Sequence, residues 1–508
     1  MHIDSTEKNN KQKLGLLALT SIVVSSMIGS GVDGLPQNMA ENSAVGPVAI
    51  AWIVCGIGMF FISRTFIVLS NIRPDLQSGV YMYAREGFGR FTAFNVAWGY
   101  WLMTIFSNVA FAIMVMDTLN YFLPGDFKGG NNIPSVIGAS LLIWGFNFLV
   151  LSGTRIAGSI NIVGTLAKLI PLVAFIIILM LFMKYTTFAD NVWGHSASKA
   201  SQDLGSIFSQ VTSPLSVALW SFIGVEGAVA LSGRAKNKRD VGKATFIGFV
   251  VSLIICLLVS ILPFGVLTQH ELSAIPTPST AGILKIVVGE WGKIMIILGV
   301  LISVLTSWLA WTIICAELPM VAAQNGTFPK PFSKKNVKGS ASVSLYISSA
   351  FMQIVVLLVY FSNDAWLAML AISTLTVLPA YLMTTAYLFK LCISGEYASY
   401  TTNHSRSAAL VSSIIGFVFC LFMFYASEIK YLAMVPVLLT LGVPLFIWAR
   451  KKDDRADKIF TLRELAFFIL LLVLDIIVFI LLHYKTIHFF VQINSQQVKV
   501  TIMSVSWA

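Results

Sequence analysis

Charge is scarce in this chain. Asp, Glu, Lys and Arg supply 11% of its 508 residues while hydrophobic residues supply 57%, a balance far too apolar for a soluble domain. Cysteine is scarce as well. Cys55, Cys256, Cys315, Cys392 and Cys420 all fall within or at the edge of apolar runs, with neither metal-ligand nor paired extracellular spacing, so disulfide and zinc frameworks are set aside. There is no His-Glu-x-x-His pattern, no serine with a convincing base and no phosphate-binding loop, which leaves no basis for an enzyme or a cofactor. No loop is long enough to fold into a separate module.

What is present is a series of apolar runs of about twenty residues, each able to cross roughly 30 Å of hydrocarbon as a helix. They lie near 14–38, 46–70, 92–122, 133–151, 158–183, 210–232, 244–267, 288–318, 342–361, 365–389, 408–426, 429–449 and 463–484. The expected class is therefore an all-α polytopic membrane protein with about thirteen transmembrane helices. The formal net charge of +11 is not a nucleic-acid signal, because the basic residues alternate with topology. They cluster after the second run (Arg73, Arg85, Arg90), the sixth (Arg234, Lys236, Lys238, Arg239, Lys243), the eighth (Lys330, Lys334, Lys335, Lys338) and the twelfth (Arg450, Lys451, Lys452, Arg455, Lys458). The positive-inside rule makes these loops and the N-terminus cytoplasmic, in a cell membrane. No cleavable signal is apparent, so the first run is expected to be a retained span.

Two of the runs are interrupted at corresponding places. One reads Ser25, Ser26, Met27, Ile28, Gly29, Ser30, Gly31, with Asp33 just beyond; the other reads Trp220, Ser221, Phe222, Ile223, Gly224, Val225, Glu226, Gly227. An interrupted helix leaves N–H and C=O groups that hydrocarbon cannot solvate, so each break must face protein, water or a ligand. Paired breaks predict an inverted repeat with a transport site at its interface. The expected organisation is a tail over 1–13, a first five-helix repeat over 14–183, an inverted second repeat over 210–389, spans 11 and 12 over 408–449, an additional span over 463–484, and a tail over 485–508.

The break at Gly29 and Gly31 suits a carboxylate, which the N–H groups of the following half-helix can hold, although the glycines would equally permit close helix packing. Carbonyls freed at the second break suit an ammonium. Together they describe an amino acid. Glu226, in an apolar helix, either exchanges a proton or serves as a structural partner for a serine or backbone donor. Asp33 either meets a cationic side chain, guards the way in, or sits in a water-filled vestibule. Trp220 and Trp311 offer indole faces to a cation, or anchor and pack. Asn108 either hydrogen-bonds a ligand or joins helices. Lys168, central in the fifth run, replaces a metal cation, pairs with an acid or relays protons.

The stretch Ile28-Gly29-Ser30-Gly31-Val32 with Leu35-Pro36, taken with Trp220-Ser221-Phe222-Ile223-Gly224-Val225-Glu226-Gly227, resembles the amino acid, polyamine and organocation transporter superfamily. Within it, the basic amino acid and polyamine antiporters are most similar, and among them the arginine/ornithine antiporters, through Leu35 to Ala40, Glu226 to Lys236 and Pro276 to Gly282. The resemblance implies two inverted five-helix repeats with discontinuous spans 1 and 6, and exchange without ATP. It further implies that Ile28, Ser30 and Gly31 hold the substrate carboxylate and that carbonyls near Trp220 and Ile223 hold its amino group. Trp220 would gate, Glu226 would be the proton-sensitive acid, Trp311 would stack on the side chain, and Asn108 would line the pocket together with Met103, Thr104 and Ser373. Lys168 matches the position where some proton-coupled relatives carry lysine in place of sodium. Asp33-Gly34 departs from the bulky apolar residue common in the family.

The leading expectation is exchange of a cationic amino acid for its metabolic product, arginine/ornithine-like, by alternating access. Histidine/histamine, lysine/cadaverine or ornithine/putrescine exchange and proton-coupled symport are the alternatives, and a membrane amino acid sensor is a remote one. The expected partners are small-molecule amino acids and amines and the lipid bilayer, with homo-oligomerisation left open.

Overall fold

The computed structural model describes residues 15–29, 31–76, 80–189, 191–194, 203–227, 236–362, 364–451 and 459–484. Ser30, both expected tails and the stretch 228–235 that includes Arg234 lie outside the described residues. The described chain is helical. Its main helices are α1 (Leu16–Met27), α2 (Gly31–Ala40), α3 (Val45–Ile72), α4 (Val80–Phe88), α5 (Arg90–Leu119), α6 (Ile133–Leu151), α7 (Thr154–Phe182), α8 (Leu215–Trp220), α9 (Lys238–Ile261), α10 (Ser279–Val288), α11 (Glu290–Gln324), α12 (Ser342–Val359), α13 (Ala365–Ile393), α14 (Arg406–Ala426), α15 (Ile429–Lys451, interrupted by turns) and α16 (Leu462–His483).

Ten of the described helices are long and apolar enough to cross a membrane. The other three expected spans are not among these ten helices. The first is divided between α1 and α2, the fifth is α7, and the sixth has only the short α8 before its break. α11 runs to Gln324, beyond the expected end near 318, because Pro319 falls inside the helix without stopping it.

Each half contains an element that hydropathy does not reveal. α4 ends at Gly89, whose φ of 94° turns the chain into α5; α10 ends at Gly289, whose φ of 86° turns the chain into α11. Such backbone geometry is cheap only for glycine. The same helix–glycine–long-helix unit thus precedes the third and the eighth span, as duplicated halves require.

α5 and α13 form the centre of the bundle and pack on each other and, through α5, on α11. Most of their residues are buried whichever way they face. Small residues permit the close approaches: a side chain at Gly99 would meet the Thr376 carbonyl, and one at Gly58 would overlap the Phe419 ring, as expected where van der Waals contact holds helices together. α16 is peripheral. Only Glu464, Leu471, Asp475 and Val478 are buried, a single stripe packed chiefly on α15, while Leu462 and Phe479 are exposed as lipid-facing residues would be.

Candidate functional site

The two breaks meet. α1 stops at Met27, and α2 restarts at Gly31, so the first N–H groups of α2 point back into the gap. After Trp220 the chain runs through tight turns, with Phe222 donating to the Leu219 carbonyl, Ile223 to Trp220 and Val225 to Phe222. Gly224 then takes φ 106°. The Ser26 hydroxyl, just before the first break, donates to the Gly224 carbonyl at 2.9 Å, and a β-carbon at Gly224 would sit 2.6 Å from that of Ser26. Trp220 lies against Gly31 so closely that a β-carbon there would overlap the indole.

α13 gives the site a depth scale. Asp364 at its start and Tyr387 near its end are roughly 35 Å apart at 1.5 Å per residue. Near the start, Trp366 meets Trp220 edge-on at 6.0 Å, and Phe111 of α5 closes on Trp220 at 6.1 Å. Further along, Thr374 donates to the Ser216 carbonyl of α8. Deeper still, Tyr381 donates to Glu226 at 2.9 Å, and Tyr100 of α5 donates to its other oxygen at 2.5 Å. The Gly224 N–H also donates to Glu226, at 3.2 Å. At the far end Tyr83 of α4 stacks on Tyr387, whose hydroxyl bonds Arg73; Arg73 is clamped to Asp75 at 2.7 Å. That ion pair lies outside the spans and holds the Asp75 carboxyl below its ordinary pKa. Arg85 donates to the Asn325 carbonyl at 2.7 Å and Asn325 donates to Tyr81 at 2.8 Å, closing the same end.

Between the aromatic layer at Trp220 and the carboxylate layer at Glu226 lies Asn108. It is one turn from Phe111 and two from Tyr100 on the same face of α5, fully buried, and among the described residues neither its amide oxygen nor its nitrogen has a hydrogen-bond partner. A buried polar group without a partner costs about 1–3 kcal/mol, so both atoms are open to a hydrogen bond from water or a ligand.

Lys168 reaches the C-terminal end of α1. Its ammonium donates to the Ser25 carbonyl at 2.8 Å, the Ser25 hydroxyl at 3.1 Å and the Ser307 hydroxyl of α11 at 3.3 Å. The three donors of the ammonium thus meet three oxygen acceptors on α1 and α11. Trp311, buried, follows Ser307 by one turn on the same face of α11.

Ile28 and Gly31 border the first break, and Ile223 lies in the second. Ser30 is outside the described residues. Ser373 and Thr104 are buried, and their hydroxyls bond carbonyls of their own helices, Met369 and Trp101. The Ser107 hydroxyl reaches the sulfur of Met103 at 3.7 Å. Asp33 has another setting. Two residues past Gly31, about 200° around α2, it faces away from Trp220. Its carboxylate takes a hydrogen bond from Thr280 of α10 at 3.2 Å, and its carbonyl one from Ser279 at 3.2 Å. Tyr100, Tyr381 and Thr374 were not singled out from sequence. A polar tip every turn or two on the break-facing side of an apolar helix is the signal that marks them.

Comparison with known proteins follows the same outline. The family profile described as Amino acid permease matches residues 14–447. An arginine/agmatine antiporter of Chlamydia pneumoniae is 50% identical over 461 residues, which cover 91% of this chain and 95% of that protein. One of Chlamydia felis is 51% identical over 460 residues, covering 91% and 94%. One of Chlamydia trachomatis is 50% identical over 434 residues, covering 85% and 89%. Broken first and sixth spans joined at Ser26 and Gly224, within a chain matched over almost all its length, identify it: this chain belongs to the amino acid permease family of membrane transporters.

Proposed function

We propose that the protein exchanges a cationic amino acid for its decarboxylated amine by alternating access, and that the pair is arginine and agmatine, as the names of its relatives say of them. The observation that supports the reading is Asn108, buried without a hydrogen-bond partner among the described residues and placed on α5 between Phe111 and Tyr100. Trp220 with Phe111 and Trp366 forms one closure; Glu226 with Tyr100 and Tyr381 forms the other.

In this reading the N–H groups at the start of α2, near Ile28, Ser30 and Gly31, hold the arginine carboxylate, and carbonyls at Trp220 and Ile223 hold its ammonium. Asn108 and the face of Trp311 receive the guanidinium, with Thr104 and Ser373 completing the wall. Agmatine keeps the guanidinium and loses the carboxylate, so it forfeits the α2 contacts alone. Lys168 fills the cation position and makes exchange independent of sodium. Glu226 couples closure to protonation, because a carboxylate and a carboxylic acid do not satisfy the same donors. Asp33 acts on the α2–α10 contact rather than on cargo. Residues 14–183 and 210–389 form the two repeats, a reading supported by the paired units at Gly89 and Gly289. The basic residues around Arg73 and Lys390 make the α4 end cytoplasmic in the cell membrane, with the N-terminus on that side.

The test is uptake of labelled arginine into proteoliposomes preloaded with arginine, agmatine, ornithine, histidine, lysine or nothing. Stoichiometric exchange is expected with arginine and agmatine loads. Uptake into empty vesicles driven by an inward proton gradient would establish symport in its place, and preference for an ornithine load would establish the arginine/ornithine pair.

A further inference from the structure

α3 begins without the means to cap itself. Ala44 stands at its N-cap and offers no side-chain acceptor, and Pro47 in its first turn brings no N–H. The N–H groups that remain need acceptors from elsewhere. The stretch between α7 and α8 supplies them: the Ala44 N–H donates to the Gln210 side-chain oxygen at 3.1 Å, and the Gly46 N–H to the Val192 carbonyl at 2.8 Å. The Ser43 hydroxyl donates to the Gln210 carbonyl at 2.5 Å. Gln210 lies in the short helix Ile207–Thr212, just before α8, and is fully buried. Its amide nitrogen donates to the Trp193 and Gly205 carbonyls, at 3.0 Å each. Both amide protons are thereby used, and the oxygen is left for Ala44.

α2 and α8 are the halves of the two broken spans on the side of the bundle where α13 begins, and they are joined at both ends. At the breaks, Gly31 lies against the Trp220 indole with no room for a β-carbon. Away from the breaks, Ser43 and Ala44, which follow α2, are bonded to Gln210, which precedes α8. The seam toward α13 is built differently. Among the described residues α8 and α13 share one hydrogen bond, from Thr374 to the Ser216 carbonyl at 3.3 Å. Above it opens a cleft of about 470 Å³, with Asn42, Ser213 and Ser216 on one wall and Asp364 and Leu370 on the other. A bonded joint on one side and an open cleft on the other separate what travels together from what parts.

We propose that Gln210 is a positioning residue for the Trp220 closure: it ties the α2–α3 corner to α8, so that both half-helices swing as one piece away from α13 when the site opens. The inference rests on the exchange reading above for the opening itself, and it adds which parts move together. The joint keeps Gly31 against the indole throughout the swing, so Trp220 is carried by its helix. Closing segments of this kind set the rate of turnover in many proteins that enclose a substrate. Loosening the joint therefore lowers kcat more than it raises KM.

The test uses cysteine pairs at exposed positions, with the five native cysteines, all buried, left in place. The Asn42 and Ser213 side chains approach to 3.5 Å across the joint, and Ser213 and Asp364 line opposite walls of the cleft. Each pair is bridged in proteoliposomes with a bifunctional methanethiosulfonate, and arginine–agmatine exchange is measured before and after reduction. Bridging Asn42→Cys/Ser213→Cys should leave exchange within about twofold of the reduced protein, while bridging Ser213→Cys/Asp364→Cys should slow it by about tenfold or more, reversibly. Gln210→Ala should lower kcat roughly fivefold or more with little change in KM. Bridging Asn42→Cys/Ser213→Cys in that background should restore most of the loss, a rescue that a misfolded variant would not show. Ser43→Ala, which removes the bond to the Gln210 carbonyl alone, should give a smaller defect with the same rescue and carries the test where Gln210→Ala does not insert. Exchange blocked by the joint bridge and recovered on reduction would overturn the proposal. So would undiminished exchange with the cleft bridged, a parental kcat in Gln210→Ala, or a defect there that the joint bridge does not repair. The same pattern of bridges read on proton-driven uptake into empty vesicles would instead overturn the exchange reading and leave the joint standing.

Discussion

Asn108 is a residue whose cost and use point in opposite directions. Its amide has no partner among the described residues, so replacement by an apolar residue of similar size should leave the empty protein at least as stable while removing the proposed substrate contact. Asn108→Leu is expected to keep or raise the melting temperature of the substrate-free protein and to weaken arginine by roughly tenfold or more, measured by thermal shift and by competition for exchange. Lower stability with unchanged affinity would return Asn108 to a helix-joining role. Glu226 invites a second measurement. With both oxygens engaged by Tyr100, Tyr381 and the Gly224 N–H, Glu226→Gln should flatten the pH profile of exchange, and a profile superimposable on the parent would show that no proton is sensed there. Asn108 and Glu226 were legible in the sequence because a polar group in an apolar run stands out. Their tyrosine partners were not, because a tyrosine in a buried helix looks the same whether its hydroxyl is idle or engaged.

At the scale of elements, the broken spans are what the sequence displays best and the short helices before Gly89 and Gly289 what it displays least. A break writes glycines and polar residues into twenty apolar positions; a nine- or ten-residue helix such as α4 or α10 is shorter than any hydropathy window. Asp33 shows the limit of reading by proximity. It is two residues from Gly31, yet helical phase turns it toward Thr280. Phase also sharpens one prediction about α2. Gly31 has no room for a methyl group beside Trp220, and overpacking of this kind costs about 1–3 kcal/mol. Gly31→Ala should therefore displace Trp220, change tryptophan fluorescence and slow exchange at least tenfold in protein that is still inserted and folded. Parental rates would mean that Trp220 moves freely and does not close the site.

For the whole molecule the consequence of the proposed pair is electrical. Near neutral pH arginine carries one net positive charge and agmatine two, so each complete cycle moves a charge across the bilayer. A potential of 100 mV is worth about 2.3 kcal/mol per charge, or about a fiftyfold change in the equilibrium ratio. Proteoliposomes clamped with potassium and valinomycin should show arginine–agmatine exchange accelerated in the direction that moves positive charge down the potential, and arginine–arginine exchange indifferent to it. Voltage-insensitive arginine–agmatine exchange would contradict the pair. At the open end, Glu41 lies outside the spans, and burial, with Asp364 and Glu428 nearby, raises its pKa above that of an ordinary glutamate.

The ammonium of Lys168, bound to Ser25 and Ser307, belongs to the polypeptide and cannot be delivered from one compartment to the other as a dissolved metal ion is. In the exchange reading proposed above, such a carrier has no sodium battery: it runs downhill on the cargo gradients, the voltage and any proton it carries, and it reverses when their sum changes sign.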